Sequence, residues 1–408
     1  CRCDKCRTID EQEGTPMGSL LTFVNAVAEH IEKQHPDVMI GTLAYQYSRK
    51  PPLYIRPRSN VQIQLCSIEC CIMHPINDSS CPLNVSFCED MHKWSKICNN
   101  IHVWSYNGIF DNYLLPCPNL RVIESNIKYF VSNNVRGIFM QGAYNTLASE
   151  FSDLRNYVTA RLLWNPNQSS EKLIDEFITL HYGKAAAPIK DYINFLHNKA
   201  CSSGKHTACF GKAKDYAINN EVIDFGLNAF DNALKLAENE TIRERVEKAS
   251  ISIYRAKLEP IWYITSSPTC TEEQIEKLTP CIQRFLEICS RNGINPESQN
   301  DIFKILISSL DPVNAPENKE LAFKLKPVTS EYLSLCSRLN IPDAFSAATY
   351  IYQKKLNANQ NTAPDIAKYK SLVEHFLKLC EKYNVTRPAE YTTMAEKSEQ
   401  LKKILNNN

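Results

Sequence analysis

The chain is 408 residues long, enough for two or three domains whose cores need no covalent staples. Its 46 Lys and Arg nearly cancel 45 Asp and Glu, so no global field gathers it onto nucleic acid or an anionic membrane surface. The longest apolar runs, Leu20–Val24 and Phe285–Cys289, fall far short of the roughly 20 residues that a membrane-spanning helix requires, and no span is expected.

Along the first 150 residues helical and strand signals alternate. A 3.6-residue period through Leu20, Leu21, Val24, Val27, Ala28 and Ile31 predicts a helix stopped by Pro36. Short apolar or β-branched runs predict four strands near 39–45, 61–69, 101–106 and 137–141. Helical stretches at Val85–Cys98 and Leu120–Ser132 are long enough to be crossovers between parallel strands. Further helices are predicted at Glu150–Leu163 and Ser170–His181, and beyond them only helices: Glu221–Glu238, Ile242–Thr265, Glu272–Arg291, Ala344–Leu356, Asp365–Tyr383 and Met394–Leu405.

The βα rhythm fits either half a barrel or a small doubly wound sheet. With only 11 glycines and no Gly-rich loop after any strand, the nucleotide-binding version is disfavoured. The expected fold is therefore α/β, the C-terminal half of a (β/α)8 TIM-like barrel followed by an all-α tail. Residues 1–200 would form the partial barrel, 213–312 a helical domain and 329–408 a C-terminal helical region, with 201–212 and 311–328 as linkers. Three segments of the tail, Phe285–Ile294, Tyr332–Ile341 and Phe376–Val385, repeat one helix stop: a basic last turn, Gly or Asn at the left-handed position, then an apolar residue. Convergent use of one stop explains them. An array of helical hairpins, which would make this an interaction protein, is the alternative.

In such barrels chemistry sits at the C-terminal ends of the strands. That rule selects Tyr45, Glu69, Trp104 with Tyr106, and Gln141. Glu69 ends an otherwise uncharged run, where a carboxylate is costly unless paired or facing a cleft, and it is the first catalytic candidate; a structural carboxylate is the competing reading. His74 could orient a substrate, and Glu150 could reach the barrel mouth, although an acid at a helix start is also expected from the macrodipole. Asp111, Glu89 and Asp90 read as solvated surface.

Seventeen cysteines, eleven of them within the first 201 residues, leave the redox setting open. Cys1, Cys3 and Cys6 could bind a metal with Cys66, Cys70, Cys71, His74 or Cys81, but the paired spacing of a zinc ribbon is missing. Buried thiols or a loop-pinning disulfide rank above zinc, so neither a metal nor a cofactor is assigned. A catalytic Cys70–His74 pair lacks any feature that would lower the thiol pKa. Asn-X-Ser/Thr triplets stand at Asn77, Asn84, Asn167, Asn239 and Asn384.

Several of these residues form longer motifs. Cys1-x-Cys3-x-x-Cys6, Phe23-Val-Asn25, Leu43-Ala-Tyr45, Pro51-Pro52, Leu65-Cys-Ser-Ile-Glu-Cys-Cys71 with His74-Pro75, Trp94-Ser-Lys96, Val103-Trp104 with Tyr106, Leu115-Pro-x-Pro-Asn119, Gly137-Ile-Phe139 with Gln141-Gly142, Leu162-Leu-Trp-Asn-Pro166 and Tyr182-Gly183 together resemble domain of unknown function 4838. The resemblance runs from Cys1 to about Leu258. That family occurs in large, often secreted bacterial proteins and is similar to the catalytic barrel of alpha-glucuronidases. The resemblance implies an extracytoplasmic, glycoside-hydrolase-like protein acting on complex glycans, including those containing uronic acids. In inverting enzymes of that kind an acid and a base stand roughly 6.5 to 9.5 Å apart. Glu69 resembles the base, Tyr45, Trp104 and Tyr106 the sugar platform, and Gln141 and His74 orienting groups. The acid is expected on a strand preceding the cysteine cluster, and Ser105 stands where the pattern has an Asp after Trp104. A non-catalytic glycan-binding protein is the alternative.

Overall fold

The computed structural model of the chain describes residues 1, 3–143, 149–262 and 272–294. It separates into two compact units, one of residues 1–256 with 287–295 and one of 257–286 with 296–408. In the second, the described residues are 257–262 and 272–286.

The first unit opens with α1 (Asp4–Glu13), ended by Gly14 at φ 65°, and α2 (Met17–Glu32). Strand β1 (Ile40–Ala44) precedes β2 (Val61–Cys66), α3 (Pro82–Ser95), β3 (Ile101–Tyr106), α4 (Ile123–Ser132) and β4 (Val135–Gln141). Helices then follow without interruption by strands: α5 (Ser152–Trp164), α6 (Ser170–Tyr182), α7 (Ala186–Ser202), α8 (Asn220–Leu236), α9 (Glu240–Lys257), α10 (Glu259–Trp262) and α11 (Glu272–Arg291). None of the described helices is long and apolar enough to cross a membrane.

The four strands form one sheet in the order β1-β2-β3-β4, every pair parallel. Val61, Ile63, Leu65, Ile101 and Val103 project to one side, where Met17, Leu21, Val24 and Ala28 of α2, Phe87, Met91 and Trp94 of α3, and Phe130 of α4 bury them. Alternation along the strands sends Leu43, Gln64, His102, Trp104 and Phe139 to the opposite face. Leu43 and Phe139 are 44% and 49% exposed there, so the sheet is covered by helices on one side and open on the other among the described residues. The sheet and helices agree with the expected α/β class; closure into a barrel is not part of the described structure.

The second core lies where loops at the strand ends meet α5–α9. Here α7 and α8 approach closely at Gly226, where a Cβ would stand 2.7 Å from Ile253 Cγ1 and 2.8 Å from Tyr192 Cε2. Ala normally gains about 1 kcal/mol over Gly inside a helix. Overpacking a core costs about 1–3 kcal/mol, so Gly226→Ala should lower the urea midpoint instead of raising it. A stabilised variant would show that the helices part freely.

His197 joins this core to the strand-end loops. Its Nε2 accepts from Leu120 N at 3.1 Å and its Nδ1 lies 2.7 Å from Ile193 O, which fixes one neutral tautomer; burial holds its pKa down at about 3. The Asn84 triplet is also explained by burial: the side chain is fully enclosed, accepting from Cys71 N and donating to Pro75 O, so it offers no glycosylation site. Asn384 lies outside the described residues.

Candidate functional site

The open face of the sheet becomes aromatic toward its C-terminal edge. Trp104 donates its indole N–H to Gln141 Oε1 at 2.6 Å, meets Phe139 edge-on at 4.8 Å and lies parallel to Tyr106 at 6.3 Å. Tyr106 continues to Phe110 at 5.6 Å, and Phe110 touches Tyr113 and Phe210. Gly137 makes room for this arrangement: a Cβ there would stand 2.6 Å from the His102 ring, which lies across β4. Burial pushes the Tyr106 hydroxyl well above its usual range and the neighbouring Cys66 thiol up to about 12, so this sulfur is a packed neutral group and no nucleophile.

Tyr45 follows β1 directly, and its hydroxyl pKa is raised first by burial and then by the charge of Glu69. Glu69 itself does not end β2. The strand stops at Cys66, and residues Ser67–Cys70 form a turn closed by Cys70 N donating to Ser67 O at 3.0 Å. Ser67 still bonds to Trp104 O, which keeps the turn against β3. The chain leaves the sheet because Ile68 is drawn into the loop-and-helix core, which turns Glu69 outward with 42% of its side chain exposed.

Arg49 holds this carboxylate, Nη1 to Oε2 at 3.1 Å. The same guanidinium donates to Asp90 Oδ2 at 2.9 Å and to Ser86 Oγ at 2.9 Å, and stands over the Phe87 ring. Trp94 in turn donates to Arg49 O at 2.7 Å. Asp90 is thus buried in the middle of α3 as an anchor, correcting its reading as solvated surface; Asp111 is exposed as read.

The structure brings Tyr45, Glu69, Trp104, Tyr106 and Gln141 to one end of the sheet and leaves two of the proposed residues elsewhere. Glu150 is enclosed with Arg155, their side chains 1% and 5% exposed, so it does not reach the open face. His74 faces Cys71, with Sγ to Nδ1 at 3.3 Å, and Cys70 is not its partner. It joins Cys71, Cys81 and His206, whose donor atoms all lie within 4.8 Å of one another. Cys1, Cys3 and Cys6 gather separately at the start of α1, so the two halves of the set read from the sequence do not meet. The described cysteines are all free thiols, and no loop-pinning disulfide forms among them.

Residues 201–212, read as a linker, build part of this region. Ile72 N donates to Thr207 O at 3.0 Å and Phe110 N to Cys209 O at 2.8 Å, which seats His206 and Phe210 beside the strand-end loops. Nothing local in the sequence announces this return. Arg49 was also passed over, although an Arg two residues before Pro51-Pro52 and close after a strand end offers a weak hint.

Residues 1–194 match the family model described as Domain of unknown function (DUF4838), spanning the sheet, its strand-end turns and the helices into α7; the match supports the family resemblance over those residues and stops short of the expected limit near Leu258. No curated protein and no solved structure matches the chain.

Proposed function

We propose that this is a glycoside-hydrolase-like protein that engages complex glycans, uronic-acid-containing ones included, on the open face of its sheet. In this reading the four strands are the C-terminal half of a (β/α)8 barrel and the open face is the inner wall. One observation carries it: Trp104, Tyr106 and Phe110 form a continuous aromatic surface at the C-terminal strand ends, and Tyr45 and the turn carrying Glu69 follow the ends of β1 and β2. Apolar sugar faces stack on such rings, while hydroxyls need amide and carboxylate partners. Gln141 accepts from Trp104 through its amide oxygen. Glu69 serves as base or as charge stabiliser, with Arg49 Nη1 3.1 Å from its Oε2.

That same pairing supports a second reading, a glycan-binding protein without turnover. The Glu69 carboxylate is already occupied by Arg49, and Ser105 supplies no acid. The full chain should be assayed for binding on a glycan array and for cleavage of uronic-acid-containing oligosaccharides, beside Glu69→Gln and Trp104→Ala. A hydrolase predicts cleavage that falls at least ~100-fold in Glu69→Gln with binding retained. Binding without cleavage selects the second reading. Unchanged turnover in Glu69→Gln removes Glu69 from the mechanism, and absence of any binding by the parent chain removes both readings.

A further inference from the structure

We propose that Cys71, His74, Cys81 and His206 form a closed, structural zinc site that holds the strand-end loops together. The inference does not depend on the glycan reading. Four donors of two soft and two borderline types converge from three separate segments: the turn after β2, the residue preceding α3, and the loop between α7 and α8. Cys71 Sγ lies 3.3 Å from His74 Nδ1, Cys81 Sγ lies 3.1 Å from His206 Nδ1, and all four donor atoms fall within 4.8 Å of each other. With Zn–S near 2.3 Å and Zn–N near 2.1 Å, the edges of a tetrahedral Cys2His2 site span about 3.3–3.8 Å, so one ion reaches all four after small adjustments.

The surroundings suit a metal better than two separate thiol–imidazole hydrogen bonds. The two rings stack with centroids 4.4 Å apart, turning both Nδ1 atoms toward the same pair of sulfurs. Met73 N donates to Cys71 Sγ at 3.4 Å, and Cys81 is the N-cap of α3, which fixes its backbone at the start of the helix. Asn84, fully buried, fixes the backbone of Cys71 through a 2.8 Å bond. Both sulfurs are buried, which suits a filled coordination shell and disfavours a reactive dyad that must meet a substrate. Binding would displace the two thiol protons, so Zn2+ and two thiolates make a neutral centre. The ion would tie Cys81 to His206 across 125 residues, next to the turn that carries Glu69 and the loop that carries Phe210.

The test is elemental analysis of the full chain in a Cys1→Ser, Cys3→Ser, Cys6→Ser background, which removes the other thiol cluster. About one zinc per chain is expected, lost in Cys81→Ser and His206→Ala and retained in His206→Cys, which keeps a ligand. Cobalt(II) in place of zinc should give tetrahedral d–d bands and a thiolate charge-transfer band, and this readout stands even if Cys81→Ser fails to fold. Chelation should lower the thermal midpoint of the parent and leave that of Cys81→Ser unchanged. No zinc or cobalt uptake by the parent, full zinc content in both ligand-loss variants, or recovery of Cys71 and Cys81 as a disulfide would overturn the proposal.

Discussion

Replacing Arg155 with methionine should destabilise the protein by about 3–5 kcal/mol, because the change strips three buried oxygen acceptors of their donor. Arg155 donates through Nη2 to Glu150 Oε2 and to Cys117 O, and through Nη1 to Asn119 Oδ1, while Asn119 passes the network on to Asn107 at 3.1 Å. Glu150 N also bonds to Tyr113 O, so the pair ties the start of α5 to the loop carrying Phe110. Burial pushes the Glu150 carboxyl up to about 7 against the pull of Arg155.

The sign of the accompanying pH effect follows from linkage. Between the ordinary carboxyl value of 4.5 and about 7, the folded chain holds a proton that the unfolded chain has released. The stabilisation from this proton is complete below 4.5 and disappears as the pH rises through about 7, with a slope of up to ~1.4 kcal/mol per pH unit. Urea midpoints at pH 5 and pH 8 should therefore differ more in the parent than in Glu150→Gln, which has no proton to lose. An Arg155→Met midpoint equal to the parent's would contradict the account.

Trp94→Ala should cost a similar ~3–5 kcal/mol, for a different reason. The indole is fully enclosed among Phe87, Met91 and strand residues of the sheet core, so truncation leaves a large cavity. It also removes the donor to Arg49 O, and with it the support of the segment that presents a guanidinium to Glu69. Trp94→Phe separates the two effects: most of the volume stays, the donor goes, and a loss of about 1–2 kcal/mol is expected. Equal midpoints for the Ala and Phe variants would mean that packing is not the larger contribution.

The parts of this fold legible in the sequence are those where local pattern and burial agree. The four strands announce themselves because runs such as Val61–Cys66 and Ile101–Tyr106 place β-branched or other apolar residues at alternate positions, which their neighbours bury. Helix α1 was not foreseen, since DKCRTIDEQE carries no apolar stripe; only Glu13 of it is buried. Helix α7 was hidden by Pro188, a breaker in most contexts but harmless in a first turn, where backbone N–H groups lack helical acceptors anyway.

In the candidate site, the strand-end rule found Tyr45, Trp104, Tyr106 and Gln141, because position after a strand is a local property. Periodicity cannot show where a strand stops, and it carried β2 three residues too far toward Glu69. Arg49, His206 and Phe210 escaped because tertiary return, invisible to local pattern, puts them there. The first of the three helix stops is formed as read: Gly293 takes φ 62° and Ile294 N donates back to Cys289 O at 2.9 Å. The other two lie outside the described residues.

The return of residues 203–212 to the strand-end turns sets a practical limit on where this protein can be cut. A fragment ending at residue 194, where the family match stops, would keep all four strands and forfeit Thr207, Cys209 and Phe210, along with the bonds they give to Ile72 and Phe110. Its aromatic wall would lack one end and its turns their tether. The boundary of the family match at residue 194 and the boundary of the working structure do not coincide in this chain.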